Sequence, residues 1–304
     1  MHLKFAIQEF YQEKRFENVT ENTFKGYEYL FKIFEAYCEE YGVERIEDIS
    51  SRVIKSFIVH CKNERGNNPV TLNDRLNQLK TFFNWLTKEK IIKENPAKEI
   101  KKLKEDVRIH TFTDDQVHQM LSYFRRQKRR ENSFHSIRNY TIILTLLGTG
   151  IRVGELEDLK WDDIDFKAGS IRVFGKSRKD STVPLSSVLS KELALYRVYC
   201  EKQFDRPSPY VFVDLKNESI SSNAVKCVFK RMAKVLNFKD TRCSPHSCRH
   251  YYAKKYIQSG GDIVSLARIL RHTNIKTTER YLHFFGNDLK ESNEKYNPLN
   301  NLNI

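Results

Sequence analysis

His246 and Arg249 stand three residues apart in Pro245-His-Ser-Cys-Arg-His250, a spacing that puts both on one face of a helix. A proton-transfer group beside a fixed cation is what a phosphoryl transition state needs. A second candidate is Arg152, in Gly148-Thr-Gly-Ile-Arg-Val-Gly-Glu-Leu156. There a buried helix stops at glycines and a new one starts, so the guanidinium lies beside a helix amino terminus, a good place for a phosphate. Taken alone, that segment is better read as a solvated arginine in a turn. The third candidate is Tyr281, closing Leu270-Arg-His-Thr-Asn-Ile-Lys-Thr-Thr-Glu-Arg-Tyr281. The chain has 15 tyrosines, and chemistry alone does not single this one out.

Metal chemistry has two sets of candidates. Cys243, His246, Cys248 and His250 are soft ligands in a tight cluster. On a helix, however, positions 246 and 248 point to different faces, and the separations match no common zinc spacing. Asp162, Asp163 and Asp165, in Trp161-Asp-Asp-Ile-Asp-Phe166, could bind Mg²⁺ in a nuclease. The alternative is a turn between helix and strand, where Asp is common.

These side chains need rigid elements to hold them. The first stretch, residues 20–105, reads as all helical. Thr23 is expected to cap a helix with Phe24, Tyr27, Leu30, Phe31, Phe34, Tyr37 and Cys38 on one stripe, closed by Gly42. Ser50 or Ser51 opens a second helix, and Thr71 a third that carries Leu72, Leu76, Leu79, Phe82, Phe83 and Leu86. These aromatics share the apolar face and read as core. Arg65, Arg75 and Lys80 lie off the stripe, available to phosphate or solvated. Residues 101–113 are basic and aperiodic, as in a linker. Thr113 then caps a new helix, and residues 140–147 are apolar nearly all round. Residues 171–174 and 181–185 read as two strands around a turn, Pro184 confining the second to an edge. Helices follow over 222–236, 245–258 and 262–270.

Composition agrees with a polyanionic partner. The 304 residues include 53 Lys+Arg and 39 Asp+Glu, a net charge of +14. The charge is segregated: residues 1–50 carry 6 basic against 11 acidic side chains, and residues 51–105 carry 13 against 6. With 39% hydrophobic residues the chain can bury a real core, which excludes a disordered basic tail. The apolar run at 142–147 is far too short to cross a bilayer, and the first nine residues lack a signal-peptide core. Six cysteines without a CxxC pattern read as reduced thiols, hence a cytoplasmic protein without a membrane role.

Taken together, the candidate segments resemble the tyrosine recombinase (phage integrase) family, whose catalytic domain carries Arg, Lys, His-x-x-Arg, His and Tyr in that order. Arg152 matches the first arginine, and Lys176, in Phe174-Gly-Lys-Ser-Arg-Lys-Asp-Ser-Thr-Val-Pro-Leu185, the lysine of a β-hairpin turn. His246 and Arg249 match His-x-x-Arg, His272 the next histidine, and Tyr281 the tyrosine nine residues on. Glu155 matches an acidic position that braces the site. Arg271 replaces the usual glycine and Cys248 a common leucine.

The resemblance implies a mainly α fold with a small antiparallel β-sheet in the catalytic domain, built as a two-domain clamp. Residues 1–105 would be a helical, SAM-like core-binding domain, 106–113 a linker and 114–304 the catalytic domain. It further implies a site-specific recombinase, acting in integration or excision of a mobile element or in chromosome-dimer resolution. Arg152 and Arg249 would hold the phosphate, with His272 adding a donor. Tyr281 would attack to form a 3′-phosphotyrosine, Lys176 would protonate the 5′ oxygen, and His246 would accept the tyrosine proton. Neither metal nor ATP nor any other cofactor is implied. The partners would be duplex DNA bearing a recombination site and three further copies in a tetramer that forms a Holliday junction. A tail with Leu299 and Leu302 would pack on a neighbour. Because the chain begins almost directly with the helical domain, an arm-binding domain is expected to be absent, as in Xer-type enzymes. A DNA-binding protein that does not recombine is disfavoured because all six catalytic-type positions are filled. A relaxase of the topoisomerase IB type is disfavoured by the size and the paired-domain layout.

Overall fold

Side-chain caps mark where the helices begin. The computed structural model describes residues 1–105, 111–174, 180–238, 241–272 and 274–285, so Lys176, the middle of the linker and the tail with Leu299 and Leu302 lie outside the described residues. The chain divides into two compact units, Met1–Arg108 and Ile109–Ile304.

The first unit contains α1 (Leu3–Phe16), α2 (Glu21–Glu40), α3 (Ser51–Asn63) and α4 (Pro69–Lys88). Helix α1 was not anticipated, yet Leu3, Ala6, Ile7 and Phe10 form a buried helical stripe. Thr20, not Thr23, caps α2: its hydroxyl accepts from the Thr23 N–H at 3.4 Å. Asn68, directly before Pro69, caps α4 and accepts from the Thr71 N–H at 2.9 Å. Phe10, Phe31 and Phe82 meet edge to face in the core, with centroids 4.8 to 5.7 Å apart.

Two of the three basic residues offered to phosphate in this unit have internal work. Arg75 is buried, its guanidinium over the Tyr29 ring at 5.8 Å. The Lys80 ammonium donates to the carbonyls of Lys98 (3.1 Å) and Ile100 (2.8 Å), fastening the segment after α4. Being off the apolar stripe did not free them, because the segment after α4 engages Lys80 and Tyr29 of α2 covers Arg75. Arg65 alone is exposed.

The second unit is built on α6 (Phe134–Thr149), which packs against α5 (Asp114–Glu131), α8 (Ser187–Gln203) and α10 (Pro245–Gln258). Buried Thr141, Thr145 and Thr149 each direct the hydroxyl to the carbonyl four residues back, at 3.1, 2.8 and 2.6 Å, which satisfies the polar groups of a helix surrounded by core. A short α7 (Val153–Glu157) leads to a three-stranded antiparallel sheet of β1 (Ile164–Asp165), β2 (Ser170–Phe174) and β3 (Asp180–Pro184), in that order. Val173 pairs with Ser181 and Ile171 with Val183, and Pro184 does lie on an edge strand. Strand β1 adds a partner that the sequence pattern did not suggest. Between α8 and α10 runs α9 (Ser222–Leu236), and after α10 come α11 (Ile263–Leu270) and α12 (Lys276–Phe285).

Candidate active site

The site grows from the end of α6. Gly150 terminates that helix at φ 63°, a left-handed conformation that suits glycine. A Cβ there would also stand 3.0 Å from Leu270 Cδ2 and 3.1 Å from Tyr252 Cδ1. The chain then turns extended at Arg152, the residue that precedes α7. Glu155, at the third position of α7, accepts from the Arg152 backbone N–H at 2.7 Å and from Arg152 Nη1 at 2.8 Å. Its second oxygen also accepts from Arg271 Nη2 at 2.5 Å.

Arg249 comes from the buried face of α10 and is 1% exposed. Its Nη1 donates to the Gly150 carbonyl at 2.7 Å, and its Nη2 donates to the Leu270 carbonyl. One guanidinium therefore ties the end of α6 to the end of α11. Arg152, Glu155, His246 and Arg249 line one open pocket of about 620 Å³, with Phe174 from the end of β2 and Asp158 completing its wall. The Arg152 side chain is 39% exposed, and its Nη2 also donates to the Arg271 carbonyl at 3.4 Å.

Tyr281 lies on α12, 3% exposed, in a small apolar cluster with Ala253, Ile257, Leu266 and Leu270. Its hydroxyl is 2.7 Å from His250 Nδ1. The His272 ring lies nearly parallel to it, with centroids 6.4 Å apart, and His272 Nδ1 is 2.7 Å from the hydroxyl of buried Thr278. His246 meets His250 edge to face at 4.3 Å. In the sequence His250 stands out only as a possible metal ligand. The available signal was its position four residues beyond His246, on the same helix face.

Electrostatics favour an anion. Three guanidiniums, Arg152, Arg249 and Arg271, surround the single carboxylate of Glu155. Burial pushes the Glu155 carboxyl up, but Arg271 and its hydrogen bonds from Arg152 and Arg271 hold it below the usual range. Burial, then Arg152 and Arg271, push Arg249 down to about 9, still cationic at neutral pH. Burial and neighbouring charges hold His250 at about 3 and His272 at about 4. Burial and the cations Arg249, Arg242 and Arg152 lower His246 as well. Burial raises Tyr281, against the opposing pull of Arg249 and Arg152.

The metal alternatives find no support in the geometry. Cys248 is fully buried, while His246 is exposed to the pocket. Asp163 accepts from the Lys160 N–H at 3.1 Å and pairs with Arg172 at 3.3 Å. Asp165 accepts from the N–H groups of Lys167 and Ala168 in a turn. Among the described residues no three His, Cys, Asp or Glu side chains gather in a metal-binding group.

Residues 110–287 match the phage integrase family and residues 3–104 the phage integrase SAM-like domain. Among named proteins, the chain is 26% identical over 295 residues to tyrosine recombinase XerC of Bacillus licheniformis, covering 93% of this chain and 92% of that one. It is 24% identical over 302 residues to tyrosine recombinase XerD of Oceanobacillus iheyensis, covering 97% and 99%. A structure of the Tn1549 transposon integrase in complex with transposon right end DNA superposes with a TM-score of 0.78 at 22% identity, covering 95% of this chain and 97% of that one.

Proposed function

The chain belongs to the phage integrase family and is a site-specific recombinase of the tyrosine type, and from that premise we propose how its residues cut and rejoin DNA. The observation that carries the reading is one pocket walled by Arg152, His246 and Arg249, with Tyr281 of α12 held against α10, the helix of His246 and Arg249, through His250.

A phosphodiester attacked in line develops negative charge on its non-bridging oxygens. Arg152 and Arg249 hold those oxygens through paired, charge-assisted donors, and His272 adds another. Loss of either guanidinium costs about 3 kcal/mol of barrier, the scale of an oxyanion donor. Glu155 keeps the Arg152 guanidinium in place. Tyr281 forms the phosphorus bond and leaves a 3′-phosphotyrosine and a free 5′ hydroxyl. Lys176 protonates the 5′ oxygen, and the acceptor role for the tyrosine proton falls, by the family pattern, to His246 at the pocket wall. The covalent link conserves the phosphodiester energy, so ATP is not consumed.

Residues 1–105 act as the core-binding domain, 106–113 as linker and 114–304 as the catalytic domain. Strand exchange proceeds on two duplexes held by a homotetramer, through a Holliday junction, with the tail beyond Tyr281 packing on a neighbouring protomer. The work is done in the cytoplasm, on the chromosome or a mobile element. The helices hold phosphate backbone, so binding falls steeply with salt.

The test is covalent capture. The protein is incubated with fragmented host DNA in EDTA and denatured, and the protein-linked fragments are sequenced, with Tyr281→Phe as the control. Adducts at a defined site, absent from the Phe variant, are expected. Sequence-specific binding without adducts would replace this reading with a DNA-binding protein that does not recombine.

A further inference from the structure

We propose that His250 is a catalytic residue of this enzyme: its ring nitrogen Nδ1 holds the Tyr281 hydroxyl and takes its proton as the phenolic oxygen attacks phosphorus. The inference rests on Tyr281 being the nucleophile, and it moves the acceptor role one helical turn along from His246.

Geometry is the first support. Nδ1 and the Tyr281 hydroxyl are 2.7 Å apart, with the two rings tilted by 59°. The phenol is nearly sealed from water, so a protein acceptor must serve its O–H group. His250 follows Arg249 directly in α10, and Arg249 is pinned to the Gly150 and Leu270 carbonyls. One rigid helix thus presents both the cation that meets the phosphate and the base that meets the nucleophile. His246, packed edge-on behind it, limits ring rotation.

Charge state is the second support. Burial, His246 and Arg249 keep the ring neutral at about 3 in the DNA-free protein, which leaves one nitrogen unprotonated. A phosphate seated against Arg152 and Arg249 offsets their charge, so the ring becomes more basic when substrate arrives. The phenol grows more acidic as its oxygen bonds to phosphorus, which closes the remaining gap. The proton moves from Tyr281 to Nδ1 as the O–P bond forms. The bond from phosphorus to the 5′ oxygen breaks, and that oxygen leaves with a proton from Lys176. In the rejoining step a 5′ hydroxyl attacks phosphorus and gives its proton to the neutral Lys176 amine, the bond from phosphorus to the phenolic oxygen breaks, and His250 returns its proton to that oxygen.

The experiment measures single-turnover adduct formation on the captured site DNA by the wild type, His250→Gln and His246→Gln. Glutamine retains a hydrogen-bonding amide but cannot carry the proton. His250→Gln is expected to bind DNA as tightly as wild type and to form adducts about 10²–10³-fold more slowly. A substrate with sulfur at the 5′ bridging position, whose thiolate leaves without a proton, should restore Lys176→Ala and leave the His250→Gln defect in place. A His250→Gln rate within about threefold of wild type, or its rescue by sulfur, overturns the proposal. Adducts that persist in Tyr281→Phe would instead defeat the nucleophile assignment. Should His250→Gln fail to fold, ¹⁵N spectra of histidine-labelled wild type and Tyr281→Phe decide. An unprotonated His250 Nδ1 whose resonance moves when the hydroxyl is removed supports the proposal, and a protonated or unmoved Nδ1 overturns it.

Discussion

Arg271 and Glu155 form an ion pair at 2.5 Å in which both side chains are nearly withdrawn from water, at 6% and 7% exposure. Arg271 does this from a left-handed backbone at φ 54°, capping α11, where a glycine would rest without strain. Side chain and backbone therefore pull in opposite directions at one residue. Arg271→Gly should lose the ion pair, about 1–3 kcal/mol, and recover part of it from the relaxed backbone. Arg271→Ala should lose the pair and keep the strain, falling about 1 kcal/mol below the glycine variant. Denaturant unfolding of the two variants ranks them, and alanine at or above glycine would contradict this account.

Acid should weaken the fold through groups held in their unprotonated form. In the unfolded chain a histidine protonates near 6.5, whereas folded His250 does so only near 3 and His272 near 4. A depressed folded pKa gives stability that is complete above the unfolded value and lost as pH falls towards the folded one. Glu155, held low chiefly by Arg271 against its burial, acts with the same sign over a more acidic window. The unfolding midpoint is expected to drop between pH 7 and pH 5, and to drop less for His250→Gln. A midpoint constant over that range would show that these rings are not buried neutral.

Gly150→Ala should destabilise and inactivate together. The new methyl meets Leu270 and Tyr252 at 3.0 and 3.1 Å on a backbone that already disfavours a side chain. The expected cost is about 1–3 kcal/mol. The shift also moves the carbonyl that holds Arg249 Nη1, so adduct formation should fall even at temperatures where the variant stays folded.

The two basic residues Arg65 and Lys80 should separate binding from folding. Arg65→Ala is expected to weaken DNA binding and reduce the slope of log affinity against log salt by about 0.9, one phosphate contact. Lys80→Ala should leave that slope unchanged and lower the melting temperature, because its ammonium is held by the Lys98 and Ile100 carbonyls. A lowered slope for Lys80→Ala would mean that it leaves those carbonyls for DNA.

Much of the helical frame is legible in the chain itself, because buried stripes such as Leu72, Leu76, Leu79 and Phe83 repeat with the helix. The start of α2 was misplaced by three residues since Thr20 and Thr23 are chemically equal candidates, and only the backbone donor at Thr23 decides between them. Strand β1, two residues long, has no period to read. Side chains that bond to distant backbone, such as Lys80, leave no mark in local pattern. His250 is the sharpest case: its partner lies 31 residues away, and nothing short of the docking of α12 against α10 brings the two together.

Arg249 has a consequence for how this protein loses function in nature. The same guanidinium that faces the pocket bolts residue 150 to residue 270, so substitution there is expected to lower the amount of folded protein along with its activity. Tyr281→Phe carries less of that burden, since a hydroxyl and its contact with His250 are lost from a ring that stays packed. Dominant inhibitors, subunits that still occupy DNA and poison an assembly, should therefore arise by substitution at Tyr281 and not at Arg249.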